Sequence, residues 1–143
     1  MIGRLFVDTN VLIYSLDPRE PAKRLRASNL LLSAHRADLL VTSPQCLNEC
    51  YRVLTDRLGL MPQSDARNFI ATLFRSCIAP LDAEVTQSAF RLQDSTGYHW
   101  WDCLLLASAL RANCRIFATE DLSDGRMLEG MQIVDPFKHD VAL

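Results

Sequence analysis

Asp8 ends the run Leu5-Phe6-Val7-Asp8, a short apolar strand that delivers a carboxylate and passes into a helix at Thr9-Asn10. In open parallel sheets, ligands gather at the carboxyl ends of strands, so an acid there is placed for chemistry. Asp121 repeats the pattern after the strand Arg115-Ile116-Phe117-Ala118. Asp102 is stranger still. It stands among Trp100, Trp101, Cys103, Leu104, Leu105 and Leu106 on a helix, where a lone ionised carboxylate costs several kcal/mol unless it is paired or binds a cation. Glu49 borders the apolar stripe Leu47, Cys50, Tyr51 and Leu54 of another helix. Each acid also has a plain structural reading. Asp8 could be a helix N-cap, Asp102 half of a buried ion pair with an arginine, Glu49 a solvated surface residue, and Asp121 a turn residue with Glu120 and Asp124 as competitors. Taken together, the four suggest an oxygen-only donor set, which suits Mg2+ or Mn2+, and hence a metal-dependent hydrolase of phosphate esters.

The elements that must carry these acids alternate. A strand spans about Arg4–Asp8, a short helix Asn10–Leu16, and a second helix Pro21–His35 with Leu25, Leu30, Leu31 and Leu32 on its apolar side. A second strand covers Asp38–Thr42. Ser43 caps a third helix and Pro44 opens it; the helix runs to Leu58, and Gly59 closes it. A fourth helix covers Ser64–Ser76, with Ser64 as its cap. Cys77–Leu81 reads as a short strand interrupted by Pro80. Asp82 caps a fifth helix to Asp94, Thr96-Gly97 breaks the chain, and a sixth helix covers Trp100–Ala112. Strands follow at Cys114–Thr119 and Gln132–Val134, the last running into Asp135-Pro136-Phe137. This alternation predicts an α/β fold with a mostly parallel sheet covered by helices. The strands place Asp8 and Asp121 on one sheet edge, and the third and sixth helices bring Glu49 and Asp102 over it.

With 143 residues, 49% of them hydrophobic, the chain suits one packed domain, 1–143. A net charge of −2 does not advertise nucleic-acid binding, although cations bound to an acidic cluster would offset part of the negative charge. Five cysteines without a C-x-x-C pair, and opening residues without an apolar secretion core, predict a reducing cytoplasmic compartment. No run approaches the length of a membrane span. Zinc on Cys46, Cys50, His99 and Cys103 is disfavoured, because buried cysteines usually just pack. A dehalogenase-type phosphatase wants a second acid two positions after the first, where this chain has Asn10.

Val7-Asp8-Thr9-Asn10-Val11-Leu12, Ser43-Pro44-Gln45-Cys46-Leu47-Asn48-Glu49, Trp101-Asp102 with Ala107, Thr119-Glu120-Asp121-Leu122 and the closing Pro136-Phe137 together resemble the PIN-domain ribonucleases, especially the VapC-type toxins of bacterial toxin–antitoxin pairs. The resemblance covers essentially the whole chain. It implies a PIN-like three-layer α/β/α sandwich in which Asp8, Glu49, Asp102 and Asp121 hold one or two Mg2+ ions, Mn2+ being an alternative, and activate water to cut RNA, leaving a 5′-phosphate and a 3′-hydroxyl. Glu49 binds metal or orients the water, and Thr9, Asn10 and Thr119 support the acids. It further implies a cognate antitoxin, a homodimer and a cytoplasmic setting. Arg19, Lys23, Arg24, Arg26, Arg52, Arg57 and Arg126 are candidate phosphate contacts. Tyr98, His99 and Trp100 are candidate base stackers, with surface solvation and core packing as the plain alternatives. The rival reading is a non-catalytic PIN-like module that binds RNA or protein.

Overall fold

The computed structural model describes residues 3–143. β1 (Arg4–Val7) leads into α1 (Thr9–Tyr14) and α2 (Pro21–Arg36), then β2 (Leu40–Val41). α3 (Pro44–Arg52) continues as a π-helical turn over Val53–Arg57, and α4 (Gln63–Thr72) as a 3-10 turn over Phe74–Ser76. α5 (Ala83–Thr96) and α6 (Trp100–Arg111) precede β3 (Cys114–Ala118), β4 (Met127–Leu128) and β5 (Met131–Val134).

The strands form one sheet in the order β2-β1-β3-β5-β4, parallel except for the β4–β5 pair. The chain leaves β1 toward β2 and returns past β1 to β3. Right-handed crossovers in opposite directions must lie on opposite faces, which gives the three-layer α/β/α sandwich expected from the alternation. The crevice where the directions diverge lies between the carboxyl ends of β1 and β3, the place where such sheets bind ligands. Leu5, Phe6 and Val7 are fully buried, as a strand covered on both faces requires. Phe6 and Phe117, opposite each other in register, stack at 5.0 Å.

Several expectations are corrected. Cys77–Leu81 is not a strand. It makes a single parallel bridge, Thr42 with Cys77, carried by Thr42 N to Ser76 O and Ala79 N to Thr42 O. Pro80, without an N–H, cannot extend the ladder. Leu25 and Leu32 are exposed; α2 buries Leu30 as expected, together with Ala27 and Ala34. α4 begins at Gln63 after Pro62, with no side-chain cap from Ser64, and breaks at Leu73 rather than reaching Ser76 as one helix. β4 was not anticipated. It forms a hairpin with β5 through Glu129-Gly130, both at positive φ. The caps at Ser43 (to Cys46 N) and Asp82 (to Val85 N) form as the sequence predicts.

Candidate active site

Register explains the centre of the site. Val7 pairs with Ala118, so the next residues, Asp8 and Thr119, stand side by side as the two strands end. The backbone carries the match one step further, with Asp8 N donating to Ala118 O at 3.0 Å and Thr119 N to Val134 O at 3.0 Å. Asp8 Oδ2 accepts from Thr119 Oγ1 at 2.9 Å, and Asp8 Oδ1 accepts from Thr9 N at 2.7 Å. Asp8 therefore does cap α1, and the cap and the site reading coexist in one side chain.

Thr119, fully buried, uses its whole hydroxyl. It donates to Asp8 and accepts from Asn10 Nδ2 at 3.1 Å and Asp121 N at 3.1 Å. Asn10 Nδ2 also donates to Asp121 Oδ2 at 2.9 Å. Three residues expected in support thus lie on one chain of hydrogen bonds: Thr119 joins the two strand-end acids, Asn10 orients the outer one, and Thr9 Oγ1 donates to Glu49 Oε2 at 3.2 Å. Asn10 Oδ1 is buried and has no partner among the described residues.

Asp8, Glu49, Asp102 and Asp121 all line one pocket of about 330 Å³ at the crevice between β1 and β3. Gln45 Nε2 donates to Trp101 O at 3.2 Å, tying the helix of Glu49 to the helix of Asp102. Among the described residues, no three His, Cys, Asp or Glu side chains stand close enough to hold an ion between them as positioned. The acids line the walls rather than closing on a point.

Electrostatics sets Asp8 apart. It is 6% exposed, and its carboxyl is pushed from an ordinary 3.8 up to about 7. Burial is the main cause, opposed by the bonds from Thr119 and Thr9 and reinforced by the charges of Asp102 and Asp121. The half-buried Asp102 is raised as well, by burial first and then by Asp121, with His99 partly offsetting. No arginine pairs with Asp102 among the described residues, so the buried ion pair weighed from sequence does not form. Arg19 lines the pocket, yet both of its contacting nitrogens are spent on Asp17 at 2.9 Å.

The competing acids are occupied. Glu120 pairs with Lys23 at 2.8 Å, with the ammonium 4.5 Å above the Tyr14 ring. Asp124 accepts from Asp135 N and contacts His139 Nε2 at 2.6 Å, fastening the segment after β5. Of the basic candidates, Arg19, Lys23 and Arg26 are engaged internally, the last by Pro136 O and Asp140. Arg126 lies over Tyr98, whereas Arg24, Arg52 and Arg57 are exposed. Of the stacking candidates, Tyr98 bonds Ser123, and Trp100 stacks on Phe90 at 5.2 Å. Two other aromatics line the pocket, Tyr14 and Trp101, and Trp101 is 66% exposed. Residues 103–109 of α6 are all buried, so helical periodicity carries no sign of which neighbouring tryptophan faces outward.

The PIN domain family model matches residues 5–123. Among solved structures, the chain is similar to a crystal structure from Mycobacterium tuberculosis, VapC20, described as a sarcin-ricin loop cleaving toxin. The TM-score is 0.53 at 19% identity, over 79% of this chain and 86% of that one. No curated protein sequence matches. With the match extending from β1 past Asp121, and with a sheet and crevice of the kind that family's motifs imply, the chain belongs to the PIN-domain family of nucleases, and its fold is that of a VapC-type toxin.

Proposed function

We propose that this protein is a divalent-metal-dependent endoribonuclease and the toxin of a toxin–antitoxin pair. One observation carries the reading most. Four carboxylates from four separate elements share a pocket in which, among the described residues, no arginine or lysine pairs with Asp8 or Asp102, while the nearby cations of Arg19 and Lys23 are committed elsewhere. A structural acid buried like Asp8 would be expected to have a cationic partner. The donor set is oxygen throughout, which fits a hard cation such as Mg2+ or Mn2+.

Asp8 and Asp102 would be the primary ligands, with Glu49 and Asp121 completing the set. A bound divalent ion supplies charge compensation and lowers the pKa of water, so that hydroxide is available at neutral pH. The chain's own residues do the rest. Thr119 and the Thr9 amide hold Asp8 in one rotamer, so no reorganisation is needed at the moment of reaction. Asn10 holds Asp121 beside it. Thr9 orients Glu49, which stays exposed and free to position water against phosphorus. Exposed Arg52 and Arg57, on the stretch of chain that follows Glu49, would meet the RNA backbone.

The proposal extends to a cytoplasmic homodimer inhibited by a small antitoxin. Light scattering of purified protein is expected to give twice the chain mass. The activity itself is tested by incubating a defined single-stranded RNA with Mg2+, with Mn2+ or with EDTA. Cleavage in metal alone, leaving fragments that carry a 5′-phosphate, is the expected result. RNA that is bound but uncut under every metal would instead identify a binding module.

A further inference from the structure

We infer that Trp101 is a stacking platform for a substrate nucleobase next to the scissile phosphate, an inference that rests on the nuclease reading above. Trp101 is the residue before Asp102 in the first turn of α6, and both line the same pocket. Its side chain is 66% exposed, although its neighbour Trp100 finds cover on Phe90 and the next turns of α6 are buried. An indole left in water forgoes one of the largest burial energies available to a side chain. Leu58, 39% exposed, lines the same pocket, carried there by the π-helical turn that follows α3. The pocket lining thus combines acidic side chains with apolar ones, among them an exposed indole. A nucleotide presents the same pair of surfaces, an anionic phosphate that needs metal and a flat base that needs a π-face.

The platform is held in place. α6 fixes the backbone of Trp101, and Gln45 Nε2 donates to its carbonyl from α3. The backbone of Trp101 therefore keeps its place beside Asp102, and a base stacked on the indole would bring the adjoining phosphodiester to the acids. Every base has a π-face, so such a contact tolerates sequence. It demands a base that is free of its own stack, as in single strands and loops.

The test uses the full chain and a 12-nucleotide single-stranded RNA of mixed sequence, with a version abasic at every position as control. Trp101→Ala is expected to raise KM about tenfold or more, with kcat changed much less, and Trp101→Phe to recover most of the loss. In a Trp100→Phe background Trp101 is the remaining tryptophan. Its fluorescence should be quenched by the RNA and not by the abasic strand. Because the side chain is exposed, thermal unfolding of the variants should match wild type. If wild type cuts the RNA and Trp101→Ala leaves KM unchanged, the stacking role is overturned while the nuclease reading stands, and the indole belongs to a protein contact. If wild type neither cuts nor binds the RNA, both fall together.

Discussion

At the scale of single residues, the site turns on a carboxylate that the fold holds at a disadvantage. Asp8 is raised to about 7 mainly by burial. A carboxyl whose folded pKa lies above its unfolded value binds more protons folded than unfolded between the two. Ionising it therefore subtracts stability as pH rises from about 4 to about 7, and the full penalty, on the order of a few kcal/mol, is present above that. In metal-free protein, Asp8→Asn should gain on wild type across this window, read as the difference in Tm between the two at pH 4 and at pH 8. A difference independent of pH would show that Asp8 titrates normally. Mg2+ should raise the Tm of wild type at pH 8 much more than at pH 5, and should do little for the variant. Thr119→Val tests the other side of the same contact. It keeps the shape but removes a hydroxyl that serves Asp8, Asn10 and the Asp121 amide. A stability loss of about 1–3 kcal/mol is expected, together with a drop in kcat, measured by urea unfolding and by initial rates; a variant as active as wild type would remove Thr119 from the account. That the four acids share one pocket was legible in the sequence, because Asp8 and Asp121 stand at strand ends, Asp102 among apolar residues and Glu49 beside an apolar stripe. Thr119's three-way role was not, because it depends on register between β1 and β3, two strands separated by most of the chain. Trp101 was hidden for a different reason, since adjacent tryptophans on a helix buried almost all round look alike until their neighbours are placed.

At the scale of elements, the pattern of strands and helices was readable wherever local chemistry settles it. Ser43-Pro44 starts α3, Asp82 starts α5, and Gly97 ends α5 at φ 71. What failed were segments governed by tertiary pairing. The apolar stretch at Cys77–Leu81 has strand composition but one bridge's worth of partner. β4 is only two residues long, too short to show alternation, and exists because Glu129-Gly130 folds it back on β5. Leu25 and Leu32 misled because the side of α2 that is buried is chosen by what it packs against, here through the small residues Ala27 and Ala34. The capping bonds have a functional consequence, because α3 carries Glu49. Ser43→Ala removes the bond to Cys46 N at 3.2 Å and is expected to cost about 1 kcal/mol, seen as a lower denaturation midpoint with an unchanged slope. Gly97→Ala meets no steric obstacle but forces a left-handed φ on a residue with a Cβ, so a loss of roughly 1 kcal/mol is expected at the turn that aims α6 and Asp102.

At the scale of the whole molecule, the parallel order β2-β1-β3-β5 places the ends of β1 and β3 at the point where the crossovers diverge. α3 and α6 then close over that point with Glu49 and Asp102. The chain carries a net charge of −2 and yet is proposed to hold a polyanion. Exposed Arg24, Arg52 and Arg57 and a metal charge in the pocket reconcile the two, so RNA affinity should fall as salt rises, with Arg52→Ala or Arg57→Ala shallowing that slope by about one phosphate's worth. Among the described residues no helix is long and apolar enough to cross a membrane. The central claim, that these acids form a metal-dependent ribonuclease site, is tested most directly by one paired measurement: cleavage of total cellular RNA, with Mg2+ and with EDTA, by wild type and by Asp102→Asn purified side by side. The expected result is cutting by wild type with Mg2+ but not with EDTA, and none by the variant under either condition. Equal cutting by both proteins would contradict it.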